Sequence, residues 1–321
     1  MLRLARTTLL AGVLTACVTG LLTTGYDDRT LIVHTFNLFN QKSQSNGLQT
    51  SWNGDWIFRR DRLELVDRYF RIHRADIVLF QQLMQKAFSE VEWDKSILSA
   101  GAFSDFDWRL ESVAEHADTS EMESMVVAAA SVLRLKQRQS GESPTLWLVG
   151  PDGFLQAAAV ESSGQPVAVF NLQMPSRIER DPIWFSFISE RVREWTKALG
   201  ICSKRVIIAG YIPADVEARS FGDFLDDLSL KDSSNGMCDV ALKCQTANPA
   251  NEMFRLATGG SVGSQADRIL VPKSAIVYSS TRTHDEPSEA PPYEKAMGFG
   301  QLWPSIRGGW ESSIRLSSCG H

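Results

Sequence analysis

The segment Arg205–Asp215, with the sequence R-V-I-I-A-G-Y-I-P-A-D, constrains the fold of this chain most strongly. Its unbroken apolar run V-I-I-A predicts a strand over Arg205–Ala209 that is buried on both faces. Gly210 follows at once and indicates a tight turn, beyond which functional residues are expected. A second apolar run, I-V-L-F, predicts a similar strand within Ala75–Phe80. Strands of this kind must be covered on both sides, which is compatible with an α/β sandwich.

Apolar periodicity predicts the other elements of the chain. Helices are predicted over Trp56–Arg71, Lys86–Ile97, Asp181–Leu199 and Phe221–Leu228. Further strands are predicted over Thr30–Phe36, Met125–Leu135, Thr145–Val149, Phe154–Val160, Pro166–Leu172, Asp267–Val271 and Ser312–Leu316. The acidic span Asp105–Glu123 is interpreted as a solvated surface loop in preference to a cation site, and residues 281–296 as a polar loop. No repeat or linker divides the chain, so a single domain is predicted over residues 30–317.

The N-terminus has the pattern of an export signal. Arg3 and Arg6 precede a short apolar stretch that ends in L-T-A-C at Cys17. Such a stretch is too short to span a bilayer comfortably, and L-T-A-C resembles a bacterial lipobox. We therefore expect a lipoprotein signal over residues 1–16, acylation of Cys17 and an anchoring linker over residues 17–29. An ordinary signal peptide with a chance cysteine, or an uncleaved anchor, is the alternative.

Acylation of Cys17 would attach the protein stably to the bacterial envelope. Because Val18 is not acidic, we expect the outer membrane rather than the inner one if the host has two. Four cysteines remain beyond Cys17. Cys238 and Cys244 are close enough in sequence to close a small disulfide loop. Cys202 and Cys319 either pair with each other or remain free.

The overall charge argues against a nucleic-acid partner. The net charge is −5 and the sequence pI is about 5.6. A protein that binds DNA or RNA normally carries a basic face, and no Lys/Arg cluster of that kind occurs in the sequence.

A series of short motifs occurs at or near the ends of the predicted strands, in a fixed order. They are T-F-N at Thr35–Asn37, D-I-V-L-F-Q-Q ending at Gln82, V-F-N-L-Q-M around Gln173, G-Y-I-P-A-D with Tyr211 and Pro213, Q-A-D-R-I-L-V with Asp267, and S-I-R with Ile306 and Arg307. Together the motifs resemble the endonuclease/exonuclease/phosphatase superfamily, which includes deoxyribonuclease I-like and neutral-sphingomyelinase-like phosphodiesterases. The resemblance covers roughly residues 30 to 316. It implies an α/β (α+β) fold, a four-layer sandwich of two mixed β-sheets flanked by helices.

The same resemblance implies that the metal site has been altered. Asn37 and Asp267 match functional residues of the superfamily. Gln82 stands where the superfamily has the glutamate that holds Mg²⁺. Since Mg²⁺ favours carboxylate oxygens and an amide contributes no neutralising charge, we expect no metal cofactor.

The acid–base groups expected from the resemblance are replaced as well. Gln173 stands for a histidine, Tyr211 for an aspartate and Pro213 for an asparagine. Ile306 and Arg307 stand for the final Asp-His pair. Glutamine cannot exchange a proton near neutral pH, and proline has neither a side-chain amide nor a backbone N–H. We therefore expect no catalytic residues in this vestigial site.

Two further expectations concern charges near the site. A carboxylate left without its metal favours a guanidinium partner, so Arg307 or Arg268 is predicted to neutralise Asp267. His34 lies three residues before Asn37, and strand alternation predicts that it points to the opposite face of the sheet as a structural histidine.

The expected function is that of a lipid-anchored, exported protein with a catalytically silent phosphodiesterase-like domain. It would act as a binding or scaffold component with a protein partner in the envelope. One alternative is a divergent phosphodiesterase or phosphatase that uses Mg²⁺. The other is a sensor that holds a phosphate-bearing ligand through Asn37, Gln173, Tyr211 and Arg307, all of which can donate hydrogen bonds.

Overall fold

A computed structural model of the chain provides the structure. It describes residues 30–37, 60–73, 75–84, 106–115, 122–130, 145–149, 153–174, 183–213, 219–235, 245–246, 266–284, 288–289, 301–302 and 308–319. The predicted helix Lys86–Ile97 and the predicted disulfide Cys238–Cys244 lie outside these residues, as does Cys17. No helix in the described part of the chain is long and apolar enough to cross a membrane.

Within the described residues, the first sheet contains six strands, of which one neighbouring pair is parallel. In chain order they are β1 (Leu31–Asn37), β2 (Ile77–Met84), β3 (Phe106–Glu115), β4 (Met122–Ala130), β11 (Ile276–Thr283) and β14 (Gly309–Arg315). Their spatial order is β11-β14-β1-β2-β4-β3. The pair β1 and β2 is parallel, and the remaining pairs are antiparallel.

The described part of the second sheet also contains six strands, with one parallel pair. In chain order they are β5 (Leu146–Leu148), β6 (Phe154–Ser162), β7 (Gln165–Gln173), β8 (Val206–Tyr211), β9 (Leu230–Asp232) and β10 (Asp267–Pro272). Their spatial order is β5-β6-β7-β8-β10-β9, with β7 and β8 parallel. A small separate ribbon pairs β12 (Ser288–Glu289) with β13 (Gln301–Leu302).

The two sheets pack face to face, and helices cover their outer faces. Between the sheets lies a core of aliphatic side chains such as Val33, Leu79, Val169, Ile207 and Ile269. Helices α2 (Ile183–Ala198) and α3 (Arg219–Asp227) pack on the second sheet, where the alternate residues of the same strands form a second core. Helix α1 (Arg60–Ile72) lies on the outer face of the first sheet. The structure is the expected four-layer sandwich.

Gly210 lies inside strand β8, so the predicted turn at this position is wrong. Its φ is +145°, and a Cβ atom there would lie 1.9 Å from the carbonyl oxygen of Leu172 on β7. Residues with a side chain rarely adopt this φ, and none would fit the space. The glycine therefore allows the two parallel strands to approach each other where they end.

Two segments interpreted as loops form edge strands instead. Asp105–Glu123 contains β3 and the first residues of β4, and residues 281–296 contain the end of β11. Both β3 and β11 lie at edges of the first sheet. Edge strands often carry charged and polar side chains, which hide the strand signal in the sequence.

The C-terminus is joined to the loop before β8 by a disulfide. Cys202 and Cys319 are bonded, with a Cα–Cα distance of 6.1 Å and a sequence separation of 117 residues. Of the two states left open from the sequence, the structure has the paired one.

Candidate functional site

Four of the residues singled out in the sequence lie at strand ends that meet at one edge of the sandwich. Asn37 is the last residue of β1, and Gln173 the last of β7. Tyr211 ends β8 and pairs in register with Gln173 on one side and with Asp267, the first residue of β10, on the other. We call Asn37, Gln173, Tyr211 and Asp267 the strand-end site.

All four side chains face the space between the two sheets. Side chains alternate along a strand, so Asn37 shares a face with the core residue Val33, and Asp267 shares one with Ile269. Asn37, Gln173 and Asp267 are buried, Asp267 completely, and Tyr211 is half-buried. The strand-end site therefore contains two amides, a phenol and one carboxylate that are largely shielded from water.

Backbone hydrogen bonds hold these strand ends in position. Thr246 accepts the N–H groups of both Ala266 and Asp267 on its hydroxyl oxygen, each at 3.0 Å. The N–H of Met174 donates to the Tyr211 carbonyl at 2.9 Å, which continues the pairing of β7 and β8 past Gln173. These bonds to Thr246 fix the backbone at the start of β10, next to the strand-end site.

A buried amide network joins the two sheets immediately beside the site. The Nε2 of Gln81 donates to Thr35 Oγ1 at 2.9 Å and to Asn171 Oδ1 at 2.7 Å. The Nδ2 of Asn171 donates to the carbonyl oxygen of Phe80 at 2.8 Å. Gln81 also pairs in register with Asn37. The importance of Asn171 was missed in the sequence, although an amide between Phe170 and Leu172 in a buried strand is the signal for it.

Comparison with solved structures identifies this architecture. An endonuclease/exonuclease/phosphatase family protein from Bacteroides thetaiotaomicron matches with a TM-score of 0.58 and 18% identity, over 90% of this chain and 99% of that one. A mannosyl-6-phosphatase of the same bacterium matches with the same score and identity, over 88% and 99%. The human Nocturnin catalytic domain with a bound sulfate anion matches with a TM-score of 0.58 and 13% identity, over 90% and 94%.

The chain has the endonuclease/exonuclease/phosphatase fold. At these identities the likeness extends to the fold alone. No protein-family model and no curated protein matches the sequence. The resemblance in fold predicted from the motif series is therefore confirmed.

Arg268 has a different partner from the one predicted. Its Nη1 lies 2.5 Å from Oδ2 of Asp232, and both side chains are buried. Its Nε donates to the carbonyl of Ile212 at 3.2 Å, and the guanidinium lies 5.3 Å from the ring centre of Phe221 on α3. These contacts are on the helix-covered face of the second sheet, whereas Asp267 faces the first sheet. Arg268 thus belongs to the outer core, and the proposed neutralisation of Asp267 by Arg268 finds no support.

The other traced positions are only partly covered by the structure. The backbone of Gln82 lies within β2, but its side chain is not among the described ones. Pro213 is half-buried and follows the end of β8 by two residues. Ile306 and Arg307 lie outside the described residues, so the predicted role of Arg307 stays a prediction.

The described donor set of the strand-end site does not suit Mg²⁺. It provides one carboxylate, from Asp267, together with the amides of Asn37 and Gln173 and the phenol of Tyr211. Hard divalent cations are usually held by several oxygen ligands that include enough carboxylate charge. No group of three or more His, Cys, Asp or Glu residues within the described ranges is arranged to hold a metal ion.

His34 lies on the opposite face of the first sheet, as strand alternation predicts. Its ring is completely buried against Phe70 of α1, with ring centres 4.8 Å apart. Its Nε2 is 2.7 Å from Oγ1 of Thr283. Burial, and secondarily the nearby His73, lower the pKa of His34 to about 3. The side chain is therefore a neutral core group near neutral pH and takes no part in the strand-end site.

Proposed function

We propose that this domain is a catalytically silent member of its fold class that acts as a binding or scaffold component. The observation that carries the proposal is the row formed by Gln173, Tyr211 and Asp267 on three adjacent strands. This row supplies a single carboxylate to the place where the sequence resemblance expects a metal and acid–base centre. Strand pairing and the close approach at Gly210 hold the backbone of the strand-end site in place, whether or not a reaction takes place there.

The chemistry of the replaced groups supports this conclusion. Metal-assisted attack of water on phosphorus needs a bound cation to stabilise charge and a group to move the proton. The Gln173 amide hydrogen-bonds but does not take up a proton near neutral pH. Removal of a single essential group usually costs orders of magnitude in rate, and here several positions differ at once.

The cellular setting of the proposal rests on the sequence. The basic and apolar N-terminus with Cys17 supports export and lipid anchoring in the envelope. An anchored domain without an active centre would act by contact, which favours a protein partner in the envelope. The acidic balance of the chain, with net charge −5, makes a nucleic-acid partner the less favoured choice.

A second candidate function is recognition of a phosphate-bearing ligand at the strand-end site. Asn37, Gln173 and Tyr211 bring hydrogen-bond donors to one edge, and the Nocturnin catalytic domain of the same fold carries a bound sulfate. The fully buried carboxylate of Asp267 lies in the same row and would repel an anion. The scaffold role is therefore preferred.

A hydrolysis assay tests the proposal. The purified protein would be incubated with Mg²⁺ or Mn²⁺ and with bis(p-nitrophenyl) phosphate, DNA or sphingomyelin, with the Bacteroides mannosyl-6-phosphatase and a phosphomonoester as the positive control. We expect no turnover above buffer and no heat of specific metal binding in calorimetry. Turnover that disappears in Asn37→Ala or Asp267→Ala would refute the proposal, and saturable binding of inorganic phosphate would favour the second candidate.

A further inference from the structure

Helix α1 covers two buried histidines on the outer face of the first sheet. His34 lies in β1 and is completely buried, and His284 directly follows β11 and is 3% exposed. Their ring centres are 5.0 Å apart. Two rings of α1 lie against them, with Phe70 at 4.8 Å from His34 and Tyr69 at 4.0 Å from His284, measured between ring centres. We call His34 and His284 the buried histidine pair.

The buried histidine pair has few hydrogen-bond partners. Nε2 of His34 lies 2.7 Å from the hydroxyl oxygen of Thr283. The Nδ1 of His34 and both ring nitrogens of His284 have no hydrogen-bond partner among the described residues. Phe36 stacks on His284 with ring centres 4.0 Å apart, so an aromatic face excludes water there. A neutral imidazole can be buried in this way, but an imidazolium needs acceptors or an opposite charge for its two N–H groups.

The nearby charged groups of α1 and β11 do not stabilise a protonated pair. Arg68 and His73 of α1 line the cleft beside it, and both are basic side chains. Arg282 of β11 extends to the opposite face of the sheet, where its Nη1 donates to the Gln245 carbonyl at 3.1 Å. The neighbouring strand β2 contributes the apolar ring of Phe80, which lies against α1.

One carboxyl group in the described part of the chain faces the pair. Glu311 of β14 is opposite His34 in the strand register, so the two side chains share a face. Burial raises the pKa of Glu311, against smaller effects of His73 and of a hydrogen bond with Tyr69. Burial, with a smaller contribution from His73, lowers the pKa of His34 to about 3. Burial, followed by His34 and His73, also holds the pKa of His284 well below its usual range.

The contacts of α1 allow it to separate from the sheet as a unit. It contains 13 residues, and a helix of that length is marginal in water unless its apolar face is packed. Its packed face includes Val66 and Phe70, which are buried. Helices α2 and α3 lie on the second sheet and are joined by Arg193, which donates to the Asp227 carbonyl at 3.0 Å. Among the described elements α1 is the one helix on the first sheet, so it depends on its contact with that face.

We propose that α1 is a pH-sensitive cover, which acid releases from the outer face of the first sheet. The buried histidine pair is neutral while α1 is in place, and both imidazoles can take up protons once α1 has left. Because the open state binds more protons, the equilibrium constant for opening is steady well above pH 6.5 and rises below it. Each histidine raises this constant by about 25-fold between pH 7 and pH 5, so the pair raises it by about 600-fold. Glu311 acts in the opposite direction, since its raised pKa favours protonation in the closed state.

Opening would change the surface of the domain. Phe36 and Phe80 are completely buried in the closed structure and would become accessible on the sheet. Exposed apolar surface of this kind favours contact with another apolar surface. The cover would therefore make the contact surface of the domain depend on pH, and this property does not require the proposed scaffold role.

Hydrogen exchange of the full chain at pH 7 and pH 5, followed by mass spectrometry, tests the proposal. The rates are corrected for the intrinsic pH dependence of amide exchange, and peptides from α1 are compared with peptides from β8 in the core. We expect the opening constant of α1 to exceed that of β8 at both pH values and to depend less on urea, because a smaller surface is exposed. Between pH 7 and pH 5 it should rise by roughly 100-fold or more.

Variants assign this rise to the pair. His34→Gln and His284→Gln should each reduce it by about 25-fold, and Glu311→Gln should increase it. The matched control is Arg71→Gln, which changes an exposed side chain of the same helix that pairs with Asp67 and should leave the rise unchanged. Circular dichroism at pH 7 confirms that each variant is folded.

Three outcomes would overturn the proposal. The first is that α1 and β8 exchange with the same opening constant and the same urea dependence, which means that α1 opens only when the whole domain unfolds. The second is an opening constant of α1 that does not change between pH 7 and pH 5. The third is an equal rise in the wild type and in the variant that carries both His34→Gln and His284→Gln. The first two use the wild type alone, so the proposal can fail even if a histidine variant does not fold.

Discussion

Asp267 and Tyr211 lie opposite each other in the antiparallel register of β10 and β8, on the face of the second sheet that is turned towards the first. Asp267 is completely buried, and Tyr211 is half-buried. A phenol therefore occupies the neighbouring position where a second carboxylate would make a cation site. Replacing an aspartate by a phenol at this position removes like-charge repulsion between neighbouring strand ends.

We expect Tyr211→Asp to make the stability of the protein depend on Mg²⁺. Two carboxylates in register would repel each other and lower the free energy of unfolding by about 1–3 kcal/mol, and a bound cation would restore it. Thermal unfolding with and without millimolar Mg²⁺ measures the effect, and Tyr278→Asp, at an exposed position of β11, is the control. An equal rise in Tm with Mg²⁺ in the wild type would mean that a metal site already exists.

Gly210→Ala is expected to destabilise the domain by about 3 kcal/mol or more. The added Cβ would lie 1.9 Å from the Leu172 carbonyl oxygen, and the φ of +145° is itself unfavourable for alanine. Gly222→Ala in α3 is the control, because nothing lies within 4 Å of its added Cβ. That change should raise stability by up to about 1 kcal/mol through helix propensity. Urea unfolding of both variants distinguishes steric conflict from a general effect of removing glycine.

The buried strands and part of the strand-end site could be predicted from the sequence, because their residues carry clear patterns. The runs V-I-I-A and I-V-L-F are buried on both faces, so every residue in them carries the apolar signal. Gln173 and Tyr211 end the parallel neighbours β7 and β8 and so lie side by side at one edge of the second sheet. Asn37 ends a strand of the first sheet and joins them only through the packing of the two sheets. Gly210 was recognised as special, although its role is close strand packing and not a turn.

The edge strands and the cross-sheet contacts could not be predicted in the same way. Most residues of β11 are exposed or half-buried, so its sequence resembles a polar loop. The bond between Gln81 and Asn171 joins residues 90 positions apart and depends on how the two sheets pack. The same holds for the pair of Arg268 and Asp232. Which carboxylate a guanidinium contacts depends on whether its side chain faces α3 or the space between the sheets.

Asp232→Ala is expected to cost about 3–5 kcal/mol, because it leaves the guanidinium of Arg268 buried without its carboxylate. The side chains of the pair are 2% and 6% exposed. The control is Asp223→Ala, which removes the exposed partner of Arg219 on α3 and should cost less than about 1 kcal/mol. Chemical denaturation compares the two variants directly. A similar small loss in both would show that the buried pair contributes little to stability.

Acid is expected to destabilise the domain through His34. Its pKa is lowered from 6.5 to about 3 by burial first and by His73 second. Because the folded-state pKa is the lower one, the unfolded chain takes up a proton at a higher pH than the folded protein does. The free energy of unfolding is therefore unaffected well above pH 6.5 and falls as the pH drops from there towards 3, by about 2 kcal/mol between pH 7 and pH 5 from this one group.

Urea unfolding at pH 7 and pH 5, for the wild type and for His34→Gln, measures this contribution. Glutamine keeps a polar partner for the hydroxyl of Thr283 but has no proton to gain in this range. We expect the variant to lose about 2 kcal/mol less than the wild type between the two pH values. His284 contributes a loss of the same sign in both proteins, because burial also lowers its pKa. An identical loss in wild type and variant would show that His34 is protonated as easily in the folded protein as in the unfolded chain.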